Sequence, residues 1–153
     1  MKKIGLTMAT VYPKHDEDVY GWAIHTANLL RNKKMDDVDF DNIIEEIEVL
    51  GRSEQHELKN RLSLVISHLL KWHYQSGKRT RSWELTIEEQ RLQAAACLEV
   101  SPSLKSHLDE ILRKAYDIGK IKAQKETELD KSVFPQECPY SFEEIMSDAF
   151  YPE

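Results

Sequence analysis

Apolar residues recur at helical spacing along nearly the whole chain, and the longest such stretch runs over 42–75. At about 100° per residue, Ile43, Ile47, Leu50, Leu58, Val65 and Trp72 all fall within about 40° of Glu54, and so do Arg61 and His68. One face of this helix is therefore apolar at its start and then alternates Glu54, Leu58, Arg61, Val65, His68 and Trp72. Its second half carries Leu62, Leu64, Val65, Ile66, Leu69, Leu70 and Trp72 on nearly every side, which predicts a central, buried helix. Gly51 inside it costs about 1 kcal/mol relative to Ala and predicts a bend or a close helix contact.

The same periodicity places the other elements. A first helix is predicted from Asp16 or Glu17 to about Asn32, with Val19, Tyr20, Ala23, Ala27 and Leu30 as its apolar face and Trp22 and Leu29 beside it. Asp39 or Asp41 is the expected N-cap of the long helix. A third helix begins at Ser82 or at Thr86, which has Glu89 three residues on as in a capping box, and presents Ile87, Arg91, Ala94 and Leu98. Ser101-Pro102 opens a fourth, with Leu104, Leu108, Ile111, Ala115 and Ile118 at helical spacing until about Glu128. Two prolines make 131–140 irregular, and Ser141 with Glu144 forms a capping box for a short last helix. No strand or repeat is evident. The fold class is all-α: an antiparallel bundle of about four main helices around the long one, plus a short C-terminal helix. Residues 1–15 read as a flexible lead-in and 16–153 as one domain.

Composition narrows the function classes. A chain of 153 residues can bury a core without metal or disulfide staples. A net charge of −6 and a pI near 5.6 disfavour nucleic acid or anionic membrane as the main partner. Cys97 and Cys138 stand alone, without metal-ligand spacing, as in a reduced, cytoplasmic protein. Met1 to Leu6 is too short for a signal segment, and Met8 is an alternative start. The most apolar run, 62–70, is broken by Ser63, Ser67 and His68 and cannot span a bilayer.

Three groups of residues could carry chemistry. The stripe of Glu54, Arg61 and His68, with Arg91 from the third helix, could form a polar pocket in which His68 acts as acid, base or ligand. Glu57 sits four residues before Arg61 and suits a plain ion pair, so the structural reading is preferred. The acidic run Asp36, Asp37, Asp39, Asp41, Glu45, Glu46, Glu48 could attract cations, yet no Glu-x-x-His pair or H-E-x-x-H motif accompanies it, and no metal is expected. Lys78, Arg79, Arg81 and Trp83, next to Lys71, Trp72, His73 and Tyr74, combine charge with stackable rings, the pattern of a single-strand binder. A nucleophile elbow and a phosphate-cradling glycine loop are both absent, and no cofactor is implied.

Several segments carry a family resemblance. Ile44-Glu45-Glu46-Ile47-Glu48 with Leu50-Gly51-Arg52-Ser53-Glu54, and His68-Leu69-Leu70-Lys71-Trp72 with Tyr74-Gln75, resemble the bacterial family called domain of unknown function twenty-nine. Asp18, Tyr20 and Trp22, Arg81-Ser82-Trp83, Ser101-Pro102-Ser103-Leu104, Glu126-Thr127, Phe134-Pro135 and Cys138-Pro139-Tyr140 extend the match in order. Ser76-Gly77 departs from it, standing where a proline is expected after Gln75. The resemblance implies a small helical protein, frequent in cyanobacteria, and carries no catalytic role to any residue. The functional expectation is a non-enzymatic protein–protein interaction module, binding another protein or itself through the acidic face or the basic turn. Alternatives are a ligand-binding or enzymatic bundle around Glu54, Arg61, His68 and Arg91, and single-stranded nucleic-acid binding at 78–83.

Overall fold

Helix α1, Val19–Arg31, begins where the Asp18 carboxylate accepts the Gly21 N–H at 2.9 Å. It starts later than predicted because the Lys14 carbonyl takes the N–H groups of Glu17 and Asp18 in a preceding turn. Helix α2 spans Phe40–Tyr74, and Asp39 caps it by accepting both the backbone N–H (3.2 Å) and side-chain amide (2.6 Å) of Asn42. The structure, a computed structural model, describes residues 12–153, and among these no strand occurs. Residues 1–11 of the expected lead-in lie outside the described residues.

Helix α3, Arg81–Val100, is capped by Thr80, whose hydroxyl accepts the Trp83 N–H at 3.2 Å. Thr86 is no cap; one turn inside the helix, its hydroxyl donates to the Ser82 carbonyl at 3.0 Å. The predicted fourth helix also starts differently. Pro102–His107 winds as a 3₁₀ helix, and α4 proper runs over Leu108–Thr127, ending at Glu128 in the left-handed region with φ 59°. Helix α5, Phe142–Met146, opens with the Ser141–Glu144 capping box as expected.

The chain forms two compact units, one ending at Leu50 and the other over Gly51–Glu153; α2 supplies residues to both. In the first unit α1 buries Trp22, Thr26 and Leu29, spaced at i, i+4 and i+7. His15 meets the edge of the Trp22 ring at 4.7 Å and bonds Glu46, while Tyr12 stacks on His25 at 4.0 Å. The predicted apolar face of α1 thus points the other way: Val19, Tyr20, Ala23, Ala27 and Leu30 are exposed. The large Trp22 ring, with His15 to pack against, decides the orientation.

The second unit holds the core. Leu58, Leu62, Val65, Ile66, Leu69 and Leu70 of α2 are fully buried with Ile87 and Ala94 of α3, Ile111, Ala115 and Ala123 of α4, and Ile145 of α5. Phe134 and Tyr140, from the irregular stretch between α4 and α5, close it. α4 approaches α2 at Gly119, where an added Cβ would sit 3.0 Å from Ile66 Cγ2 and 3.1 Å from the Ser63 carbonyl. Gly51, by contrast, has nothing within 4 Å of such an atom, so the predicted close contact is absent there.

Candidate functional site

The four residues of the predicted polar pocket are held by different partners, and no hydrogen bond joins any two of them. Glu54 accepts from the Ser101 hydroxyl at 3.4 Å. Arg61 pairs with Glu57 at 2.7 Å, as its spacing suggested, and donates to the Gln90 side chain at 3.2 Å. His68 lies 8% exposed with Nδ1 2.9 Å from the Leu64 carbonyl, so that nitrogen carries the proton.

Arg91 is the most committed of the four. Its Nε donates to the Ile145 carbonyl at 2.7 Å and its Nη2 to the Phe150 carbonyl at 2.8 Å and the Glu144 carbonyl at 3.5 Å. Its guanidinium also lies over the Tyr151 ring at 5.3 Å. Burial lowers its pKa, and its buried Nη1 has no partner. Arg91 thus serves the Ile145 carbonyl at the end of α5 and the Phe150 carbonyl in the segment after it, while the Glu144 carbonyl also accepts the Ser147 N–H at 3.2 Å.

His68 belongs to a charged cluster between α2 and α4. Lys71, 4% exposed, pairs with Glu126 and lies 4.5 Å over the Trp83 ring, and Lys122 donates to Ser63 Oγ at 2.9 Å. Burial pushes the Glu126 carboxyl up, but the Lys71 bond and the charges of Lys71, His68 and Lys122 outweigh it and hold the group below its usual range. For His68, burial lowers the pKa, joined by Lys71 and Lys122; the Leu64 carbonyl and Glu126 oppose without prevailing. The sign follows directly: with its folded pKa depressed, neutral His68 contributes stability that is complete above the unfolded value of 6.5 and is lost as pH falls below it. His68→Gln should therefore flatten the decline of Tm between about pH 7 and 5. An unchanged slope in thermal melts would contradict this.

The basic and aromatic turn is equally engaged. Arg79 lies over the Trp72 ring at 4.9 Å, donates to the Trp72 carbonyl at 2.9 Å and reaches the Pro152 carbonyl at 3.2 Å. Arg81 pairs with Glu84 at 2.9 Å, Trp83 receives Lys71, and Lys78 is exposed. Burial raises the pKa of both thiols, Cys97 and Cys138, so neither is an activated nucleophile.

Two features escaped the sequence reading. The first is a cleft of about 1350 Å³ beside α4, walled by Leu108, Tyr116, Lys120, Phe134, Cys138 and Phe142 among others, and by none of Glu54, Arg61, His68 or Arg91. Lys120 is buried in its wall, 3.4 Å from the Gln136 carbonyl and 4.6 Å over the Tyr116 ring. The second is the surface of the first unit. Of sixteen large apolar side chains exposed among the described residues, eleven lie at or before Leu50, whereas only Trp22 and Leu29 of nineteen buried apolar residues do. Tyr20 is 79% exposed, and Ile47 and Leu50 63% each. The stripe of α2 is therefore core from Leu58 onward and open surface at its start. A signal was available: Phe40, Ile43, Ile44, Ile47, Val49 and Leu50 are more apolar side chains than one α1 partner can bury.

Among the described residues, no three His, Cys, Asp or Glu side chains come together as metal ligands, and no helix is long and apolar enough to cross a membrane. Neither a curated protein nor a solved structure gives a significant match to the chain. A family model does match, over residues 14–151, in the order the sequence motifs run. The chain belongs to the family described as Domain of unknown function DUF29.

Proposed function

We propose that the chain is a non-enzymatic, cytoplasmic protein-interaction module whose docking face is the exposed apolar surface of the first unit. What carries the reading is the balance among the described residues there: two buried apolar residues against eleven exposed ones. Scattered exposed apolar residues are ordinary, but Phe40, Ile44, Ile47 and Leu50 recur along one side of α2, as a partner-binding row would. The turn at 78–83 is a poor nucleic-acid surface, since Arg79 and Arg81 spend their charge inside the chain. A photoreactive amino acid placed at Ile44, Ile47 or Leu50 in the source cells should give one discrete crosslinked species. The same label at the exposed apolar positions Leu92 or Ile121 should give none. Equal labelling from both sets, or none from the first, would contradict the proposal.

A second reading, ligand binding by the second unit, is favoured by the cleft beside α4 rather than by the polar stripe. Buried Lys120, paired with Asp117 at 3.5 Å, beside Leu108, Phe134 and Phe142, suits a partly apolar ligand whose anionic end competes for that lysine. Fragment-induced NMR shifts confined to Tyr116, Lys120 and Cys138 would support it, and their absence would dismiss it.

A further inference from the structure

We infer that the occupant of this face is a basic amphipathic helix from a different protein, an inference that rests on the docking reading above. The face itself is helical. On α2, Phe40, Ile43, Ile44, Ile47 and Leu50 lie within about 60° of one line, and the row is about 15 Å long, three turns of a partner helix. Phe40, Ile44, Ile47 and Leu50 are exposed along it. An apolar row of this length is what the anchors of an amphipathic helix cover at i, i+3, i+4 and i+7.

Charge names the partner. Between Met35 and Leu50 the sequence holds seven acidic residues and no lysine or arginine. Asp41 sits roughly 120° round the helix from Ile47, on the flank beyond Ile44, and Glu45 roughly 160° round, behind Asp41 on the far face of the same side. Both are exposed and neither forms an ion pair among the described residues. Glu46, on the opposite flank, is already bonded to His15. The unsatisfied charge is thus one-sided and negative, and it favours Lys or Arg beside the partner's apolar stripe.

A second copy of the chain fits poorly. Each copy carries −6, and apposing two such faces brings the acidic flanks of both into one contact. Nor does the basic turn of another copy offer much, because Arg79 is held by the Trp72 and Pro152 carbonyls and Arg81 by Glu84.

The test uses the full chain and two labelled helical peptides of about 18 residues with the same Leu/Ile stripe, one flanked by Lys and one by Glu. Fluorescence anisotropy should show the Lys peptide binding at least about tenfold more tightly at low salt. Asp41→Asn with Glu45→Gln should erase most of that difference, and Ile44→Ser with Ile47→Ser should abolish binding of both peptides. Equal affinity for the two peptides, or binding of neither, overturns the inference. Light scattering supplies the remaining arm: a concentration-dependent dimer lost in Ile47→Ser would make the second copy the occupant. That result overturns the basic-helix inference and keeps the docking face, whereas crosslinking that ignores position defeats the docking face itself.

Discussion

Arg91→Met should lower stability by about 3 kcal/mol, roughly 6–12 °C in Tm for a chain of this size. The substitution keeps much of the apolar stem and removes the donors. The Ile145 and Phe150 carbonyls, 2.7 and 2.8 Å from the guanidinium, lose their partner, and the Glu144 carbonyl loses a weaker one. One effect runs the other way: Arg91 is buried with Nη1 unpartnered, so removing its charge relieves desolvation. The bonds win because the Ile145 carbonyl, at the end of a five-residue helix, and the Phe150 carbonyl, in the segment after it, stay in place without their donor. The loss should be local as well as global. Limited proteolysis of the variant should cut within 147–153 well before the remainder of the chain. Wild-type melting with an intact C-terminal segment would show that Arg91 is not its clamp.

Gly119→Val should cost a similar amount, about 2–3 kcal/mol. The first added atom already lies 3.0 Å from Ile66 Cγ2 and 3.1 Å from the Ser63 carbonyl, so α2 and α4 must separate or Ile66 must leave its rotamer. The backbone oxygen cannot swing aside as a flexible side chain would. Gly51→Ala provides the opposite case within α2: the new methyl meets open space and should stabilise by about 0.5–1 kcal/mol through helix propensity alone. Denaturant unfolding of both variants measures the pair. A neutral Gly119→Val would mean that the two helices are not in close contact at that position.

What the sequence disclosed and what it concealed divide along physical lines. The buried half of α2 was legible because Leu62 to Leu70 is apolar on nearly every side, and α5 because Ser141 and Glu144 satisfy each other across four residues. These are local patterns. The start of α3 was placed at Ser82 or Thr86 because each is a capping residue type, but the helix opens earlier, where the Thr80 hydroxyl accepts the Trp83 N–H. Pro102 was compatible with an α-helical start, yet the chain winds as 3₁₀ through His107. For α1 two apolar faces competed, and the one with Trp22 went inward.

The polar stripe signals groups that need partners, but spacing along one helix says nothing about who those partners are. Arg61 found Glu57 four residues away, which the sequence could suggest, while Arg91 found carbonyls more than fifty residues downstream, which it could not. Lys71 and Lys120 look like surface lysines in the sequence and are buried over Trp83 and Tyr116. The exposed apolar row of α2 was hidden for the reverse reason. Ile47 and Leu50 share the stripe of Leu58, and periodicity cannot tell an apolar row that has a core from one that lacks it.

Amide hydrogen exchange along the isolated full-length chain tests most directly whether the first unit completes its own core. With Trp22 and Leu29 the only buried apolar side chains among the described residues there, the amides of α1 and of residues 40–50 should exchange orders of magnitude faster than those of residues 58–74, most of whose apolar side chains are enclosed. Protection in α1 and 40–50 equal to that of 58–74 would show a unit that is stable without a partner, and would contradict the reading of its apolar face as an unfilled interface.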